Sequence, residues 1–89
     1  MERYYIIFTG RVQGVGFRWT AMQAAESLGL TGWVRNLTNG NVDCEIEGSP
    51  VKIDQFIRKM VNGNHWIRVD DYSVKTIPLK HDKKFIPRN

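Results

Sequence analysis

Eighty-nine residues allow one domain, 1–89, short for a second unit yet long enough to bury a core. A hydrophobic share of 42%, 25% charged residues and a single cysteine describe an ordinary globular chain with no internal disulfide; no apolar run approaches a membrane span and the N-terminus lacks a signal-peptide pattern, so a cytoplasmic monomer with no membrane partner is the expectation. The net charge of +4 favours anionic ligands in general, but its basic residues are spread along the chain and do not single out nucleic acid.

The aromatic and β-branched run Tyr4-Tyr5-Ile6-Ile7-Phe8 predicts a first strand over about Arg3 to Gly10, apolar in both parities as a strand covered on both faces would be. Phe17, Ala21, Ala24, Ala25 and Leu28 recur at helical spacing, which predicts a helix from Phe17 to Leu28 ended by Gly29. A second strand is expected over Thr31 to Leu37. A third runs over Asn41 to Glu47, where inward Val42, Cys44 and Ile46 alternate with outward, wet Asp43, Glu45 and Glu47.

Ser49-Pro50 is a capped helix start, and the stripe Ile53, Phe56, Ile57, Met60 and Val61 predicts a core-facing helix that stops at Asn62-Gly63. A fourth strand lies between Ile67 and Ile77, and its parity slips between Val69 and Tyr72, as at a bulge. The tail from Pro78 is basic. Its Lys80 to Lys84 run reads as solvated, with a short edge strand at Phe85-Ile86 cut off by Pro87. The order β-α-β-β-α-β specifies an α+β fold of the ferredoxin-like, split βαβ type: an antiparallel sheet of four or five strands with two helices on one face.

The joint between the first strand and the first helix, Gly10-Arg11-Val12-Gln13-Gly14-Val15-Gly16-Phe17-Arg18, is where chemistry concentrates. Gly14 and Gly16 permit positive φ and can turn successive N–H groups toward one point. The helix start adds unpaired N–H groups and the positive end of its dipole. No Ser, Thr, Asp or Asn stands in the stretch to cap the helix, so the first turn is left open to a ligand. Arg18 brings a permanent forked cation to the same end, suited to phosphate or carboxylate oxygens. The turn reads as an oxyanion cradle. It is neither a dinucleotide fingerprint, since Trp19 stands where the third glycine belongs, nor a P-loop, since it contains no lysine.

These nine residues resemble the signature of the acylphosphatases, small enzymes that hydrolyse carboxyl-phosphate mixed anhydrides. Gly32-Trp33-Val34-Arg35-Asn36 is similar to the second block of that family, and the resemblance runs from about Tyr4 to the C-terminus, weakening after Gly63. It implies the same ferredoxin-like fold, an acyl phosphate as the small-molecule substrate, and no cofactor or metal. It also implies roles: the N–H groups of Gln13, Gly14, Val15, Gly16, Phe17 and Arg18 with the Arg18 guanidinium hold the phosphoryl group, and Asn36 orients the attacking water. Because a carboxylate leaves readily, such a site hardly needs a general acid, which accommodates a signature with no His, Asp, Glu or Cys.

Strand pattern alone leaves the side of Asn36 open. A two-residue turn at Asn39-Gly40 would pair Asn36 with Asp43 and point it away from the helices. A three-residue loop, Thr38-Asn39-Gly40 with Gly40 in αL, pairs Leu37 with Asn41 and Asn36 with Val42, on the helix-covered side, at the cost of moving Trp33 and Leu37 to the open face. The implied chemistry needs Asn36 near the cradle, and the longer loop is the expectation for that reason.

Other residues take plainer roles. Arg11 serves solubility or a nearby carboxylate; Trp19 either borders an acyl pocket or has a packing or surface role; Cys44 is a buried, inert thiol; His65 and His81 are exposed and idle. Two alternatives stand beside hydrolysis. An RNA-binding module shares the fold, but the third strand carries acids and no aromatic, and Gly14-Val15-Gly16-Phe17-Arg18 echoes the RNA motif in the wrong place. A catalytically silent phosphate-binding domain would bind phosphate without turning over acetyl or benzoyl phosphate.

Overall fold

The computed structural model describes residues 1–88, and Asn89 lies outside them. Seven elements follow one another: β1 (Glu2–Arg11), α1 (Phe17–Ser27), β2 (Thr31–Asn36), β3 (Val42–Gly48), α2 (Pro50–Asn62), β4 (Arg68–Ile77) and β5 (Phe85–Arg88). The strands form one sheet in the order β4-β1-β3-β2-β5. Helix α1 lies against β2 and β5 and α2 against β4 and β3, so both cover the same face and touch each other.

The core is the product of two periodicities meeting. Every second residue of the central strands, Ile6 and Phe8 in β1 and Val42, Cys44 and Ile46 in β3, is buried beneath Phe17, Ala21, Ala24 and Ala25 of α1 and Ile53, Phe56 and Met60 of α2. The small residues of α1 let that helix approach the sheet closely. Ser49 caps α2 by accepting the Lys52 N–H at 3.3 Å, with Pro50 at the first helical position, and Gly63 (φ 65°) ends it. The parity slip in β4 is a bulge: Thr9 pairs with Asp71 and Gly10 with Val69, leaving Asp70 extra. At Gly10 (φ 136°) a methyl group would stand 2.3 Å from the Arg68 carbonyl oxygen, so the close backbone approach there admits only glycine.

Three expectations are corrected. The sheet is mixed rather than antiparallel, because β5 runs parallel to β2, with Gly32 opposite Phe85. Pro87 does not cut β5 short; it pairs opposite Val34 on the sheet edge, where a missing N–H is tolerated. The third correction concerns the face of the sheet away from the helices. Asp43 and Glu47 are buried rather than wet, although the Lys80 to Lys84 run that passes over them keeps its side chains exposed, as expected.

Charge pairing makes that burial possible. Arg3, with no exposed surface, donates to Glu45 (2.7 Å), Glu47 (3.1 Å) and Asp82 (2.9 Å). Glu47 also accepts the backbone N–H groups of Lys80 (2.8 Å) and His81 (3.0 Å), and Lys80 Nζ reaches Glu45 at 2.9 Å. Asp43 is held by Arg35 (2.6 Å) and by the Tyr5 hydroxyl (2.7 Å), whose pKa is pushed up to about 12 by burial and by that carboxylate. The tail thereby crosses the open face and delivers β5 to the sheet edge.

Candidate functional site

Between β1 and α1 the chain alternates apolar and glycine positions. Val12 and Phe17 are buried, Val15 packs half-buried against the core, and Gly14 and Gly16 face outward. Phe17 stacks at a tilt on Phe8 with ring centroids 5.0 Å apart, and burying such a side chain is worth about 1.5–3 kcal/mol. The loop is thus pinned at both ends while its glycines stay at the surface. Gly14 (φ 71°) and Gly16 (φ 78°) are both left-handed, with open space where a side chain would project.

Gly16 is the N-cap of α1, and no side chain caps it. The first intrahelical bond runs from the Thr20 N–H to the Gly16 carbonyl (3.0 Å), so the N–H groups of Phe17, Arg18 and Trp19 lie ahead of it without an intrahelical acceptor. This is the arrangement from which backbone anion sites are made.

Asn36 is the last residue of β2 and pairs with Val42. The connection to β3 is the three-residue form: Leu37 N–H donates to the Asn41 carbonyl (2.8 Å), and Gly40 takes φ 94°. That register turns Asn36 to the helix-covered side and Trp33, opposite Glu45, to the open face. Val12, Gly14, Gly16, Phe17, Arg18, Trp19 and Asn36 consequently line one cavity of about 220 Å³.

Of the residues singled out from the sequence, Gly14, Gly16, Phe17, Arg18 and Asn36 meet at this cavity. Gln13 and Val15 do not line it. Arg18 is half-buried, and its Nη1 donates to the Arg88 carbonyl at 3.2 Å, so the last strand braces the guanidinium. Trp19 is 66% exposed at the rim, which removes the packing role as its explanation. Larger depressions flank the tail, one of about 340 Å³ beside Trp33, Lys80 and Arg88, but the glycine turn does not reach it.

Two features escaped sequence reasoning. The side chain of Gln13 turns toward the β2–β3 loop, where its Nε2 donates to the carbonyls of Leu37 (2.6 Å) and Asn41 (2.8 Å). Those partners are 24 and 28 residues away, and no local pattern announces them. The Arg88 brace on Arg18 depends on the path of the tail, which its composition conceals. Elsewhere, burial pushes the Cys44 thiol far up, with Asp43 and Glu45 adding to it, as an inert core thiol requires. Among the described residues no three His, Cys, Asp or Glu side chains gather as a metal site, and no helix is long and apolar enough to cross a membrane.

Comparison with known proteins agrees with this geometry. The profile of the acylphosphatase family matches residues 4–87. An acylphosphatase of Clostridium beijerinckii is 43% identical over 86 residues, which is 96% of each chain. The crystal structure of an acylphosphatase from Bacillus subtilis superposes with a TM-score of 0.96 at 36% identity, covering 100% of both chains. The structure of an acylphosphatase from Coxiella burnetii gives a TM-score of 0.92 at 30% identity, covering 98% of this chain and 92% of its own. A match that spans the sheet, the glycine turn and the Asn36 block together leaves one conclusion: the chain belongs to the acylphosphatase family.

Proposed function

We propose that this protein hydrolyses acyl phosphates to a carboxylate and inorganic phosphate, acting as a monomer on a small-molecule substrate without metal or cofactor. The backbone N–H groups from Gln13 to Arg18 and the Arg18 guanidinium hold the phosphoryl oxygens. The Asn36 amide holds a water in line with the bond to be broken. Water oxygen attacks phosphorus, the bond between phosphorus and the acyl oxygen breaks, and the carboxylate departs with the electron pair. A water proton passes to the phosphate formed. Catalysis is then positioning plus offset of charge on the equatorial oxygens as the transition state forms. The observation that carries this reading is the single small cavity lined by Gly14, Gly16, Arg18 and Asn36.

The experiment is benzoyl phosphate hydrolysis in EDTA by the wild type, Arg18→Ala, Arg18→Lys and Asn36→Ala. Removing one preorganised oxyanion donor costs on the order of a hundredfold or more in rate, so Arg18→Ala is nearly inactive. Arg18→Lys recovers little, because an ammonium cannot grip two oxygens at once. Asn36→Ala loses turnover while still binding inorganic phosphate. Phosphate binding without any hydrolysis by the wild type would instead make the domain a silent phosphate binder.

A further inference from the structure

We propose that the Gln13 side chain is a positioning residue that fastens the glycine turn to the β2–β3 loop and so fixes Asn36 relative to the amide cradle. This rests on the hydrolytic reading above. The carboxamide has two N–H donors, and both are spent on carbonyls of one short loop, Leu37 at 2.6 Å and Asn41 at 2.8 Å. Its orientation is set by chemistry, since the amide oxygen could not face two carbonyl oxygens. Leu37 directly follows Asn36 in the chain, and its own N–H donates to the Asn41 carbonyl at 2.8 Å. Gln13 therefore grips the base of the loop on both sides at once, just after β2 and just before β3.

Residues Thr38, Asn39 and Gly40 beyond it are exposed, and the other bonds there, Gly40 N–H to the Leu37 carbonyl (3.2 Å) and Asn41 N–H to Asn39 Oδ1 (3.0 Å), are internal to the loop. The bonds of Gln13 instead join it to a second element, the one that carries the cradle. An in-line attack needs both halves of the site in register, and a displacement of about 1 Å in such a geometry costs on the order of a hundredfold.

The test uses Gln13→Met, which keeps length and loses both donors, and Gln13→Glu, which sets a carboxylate against two carbonyls. Benzoyl phosphate turnover, competitive inhibition by inorganic phosphate and amide hydrogen exchange at Leu37 are measured for each. Gln13→Met is expected to lower kcat by about tenfold or more, with Gln13→Glu lower still, to change phosphate inhibition by less than about twofold, and to speed exchange at Leu37. In an Asn36→Ala background the same Gln13→Met change has little further effect on kcat, because both substitutions disable one function.

An unchanged kcat, or a full additional loss in the Asn36→Ala background, overturns the proposal. So does phosphate affinity falling in step with kcat, which would place Gln13 in the service of the cradle alone. A wild type that fails to turn over benzoyl phosphate defeats the hydrolytic reading. Leu37 exchange then still decides whether the fastening exists, and an unaltered rate in both variants shows that it does not.

Discussion

Arg3→Ala is the substitution that most directly tests how the open face is held. Three ion pairs disappear with it, and they are unequal. The Asp82 carboxylate is 36% exposed, so that pair is worth no more than about 1 kcal/mol. Glu45, with 12% of its side chain exposed, keeps Lys80 at 2.9 Å. Glu47 is the costly one. Its side chain has no exposure, and what remains to it are the neutral N–H groups of Lys80 and His81, with the His81 ring Nδ1 at 4.0 Å.

Breaking a buried pair on one side costs about 3–5 kcal/mol, and the surviving N–H bonds place this case near the lower end. For a domain of this size each kcal/mol moves Tm by roughly 4–8 °C, so a loss of about 3 kcal/mol lowers it by roughly 12–24 °C. Urea unfolding followed by circular dichroism, with the slope of the transition unchanged, is the assay. A loss below about 1 kcal/mol would refute the reasoning, because it would mean that Glu47 is hydrated and the tail is not seated on the sheet. Arg3→Met separates charge from packing: it fills much of the space but pairs with nothing, so it should not restore stability.

The same cluster gives an acid limb. Burial pushes the Glu45 carboxyl up, but Lys80 and Arg3 outweigh it; burial likewise acts on Glu47 and is outweighed by the Lys80 N–H, Arg3 and the His81 N–H, so both sit below the ordinary glutamate value. Their contribution is complete above the unfolded glutamate pKa, about 4.3, and is lost as pH falls through the folded values; Arg3→Ala should flatten that decline, and an equally steep one contradicts the assignment. Turnover, by contrast, should be nearly flat across mildly acidic and neutral pH, since no proposed catalytic side chain titrates there; a bell-shaped kcat profile with a histidine-like limb would contradict the roles given to Arg18 and Asn36. Trp19→Ala should lower kcat/KM for benzoyl phosphate by about threefold to tenfold more than for acetyl phosphate, the worth of one aromatic contact at the cavity rim. Equal losses on the two substrates would return Trp19 to the surface.

The helix side of the molecule was legible because it is written in periodicities. Val42, Cys44 and Ile46 alternate, Ile53, Phe56 and Met60 recur at helical spacing, and both sets are buried where their spacing puts them. The glycine turn was legible through an absence, the missing cap before Phe17, and the structure indeed leaves that helix without a side-chain cap. Asn36 sits between these cases. Two loop lengths fit the residues, they differ by a flip of the whole strand, and only the demand of chemistry chose between them. The observed pairing of Asn36 with Val42 agrees with that choice. Gln13 was illegible for a different reason: its partners are backbone carbonyls, which carry no sequence signature at all.

The open face misled because a strand read alone has no view of its neighbours. Asp43, Glu45 and Glu47 alternate with apolar residues, and alternating acids imply water on that side. Asp43 and Glu47 are buried and Glu45 partly so because cations arrive from three separate places: Arg3 in β1, Arg35 in β2 and Lys80 in the tail. None of these is related to the acids by a helical or strand period, so charge complementarity between segments was the only available signal. The consequence reaches function. Trp33 is 7% exposed, with the Arg35 and Arg88 guanidinium groups each 5.0 Å from its ring centroid, so the aromatic that an RNA-binding sheet would offer to a base is already covered by cations of its own chain. With that face closed by internal pairing, the surface that gathers N–H groups without intrahelical acceptors and a half-buried guanidinium is the glycine turn, where the proposed substrate's phosphoryl group would find its donors.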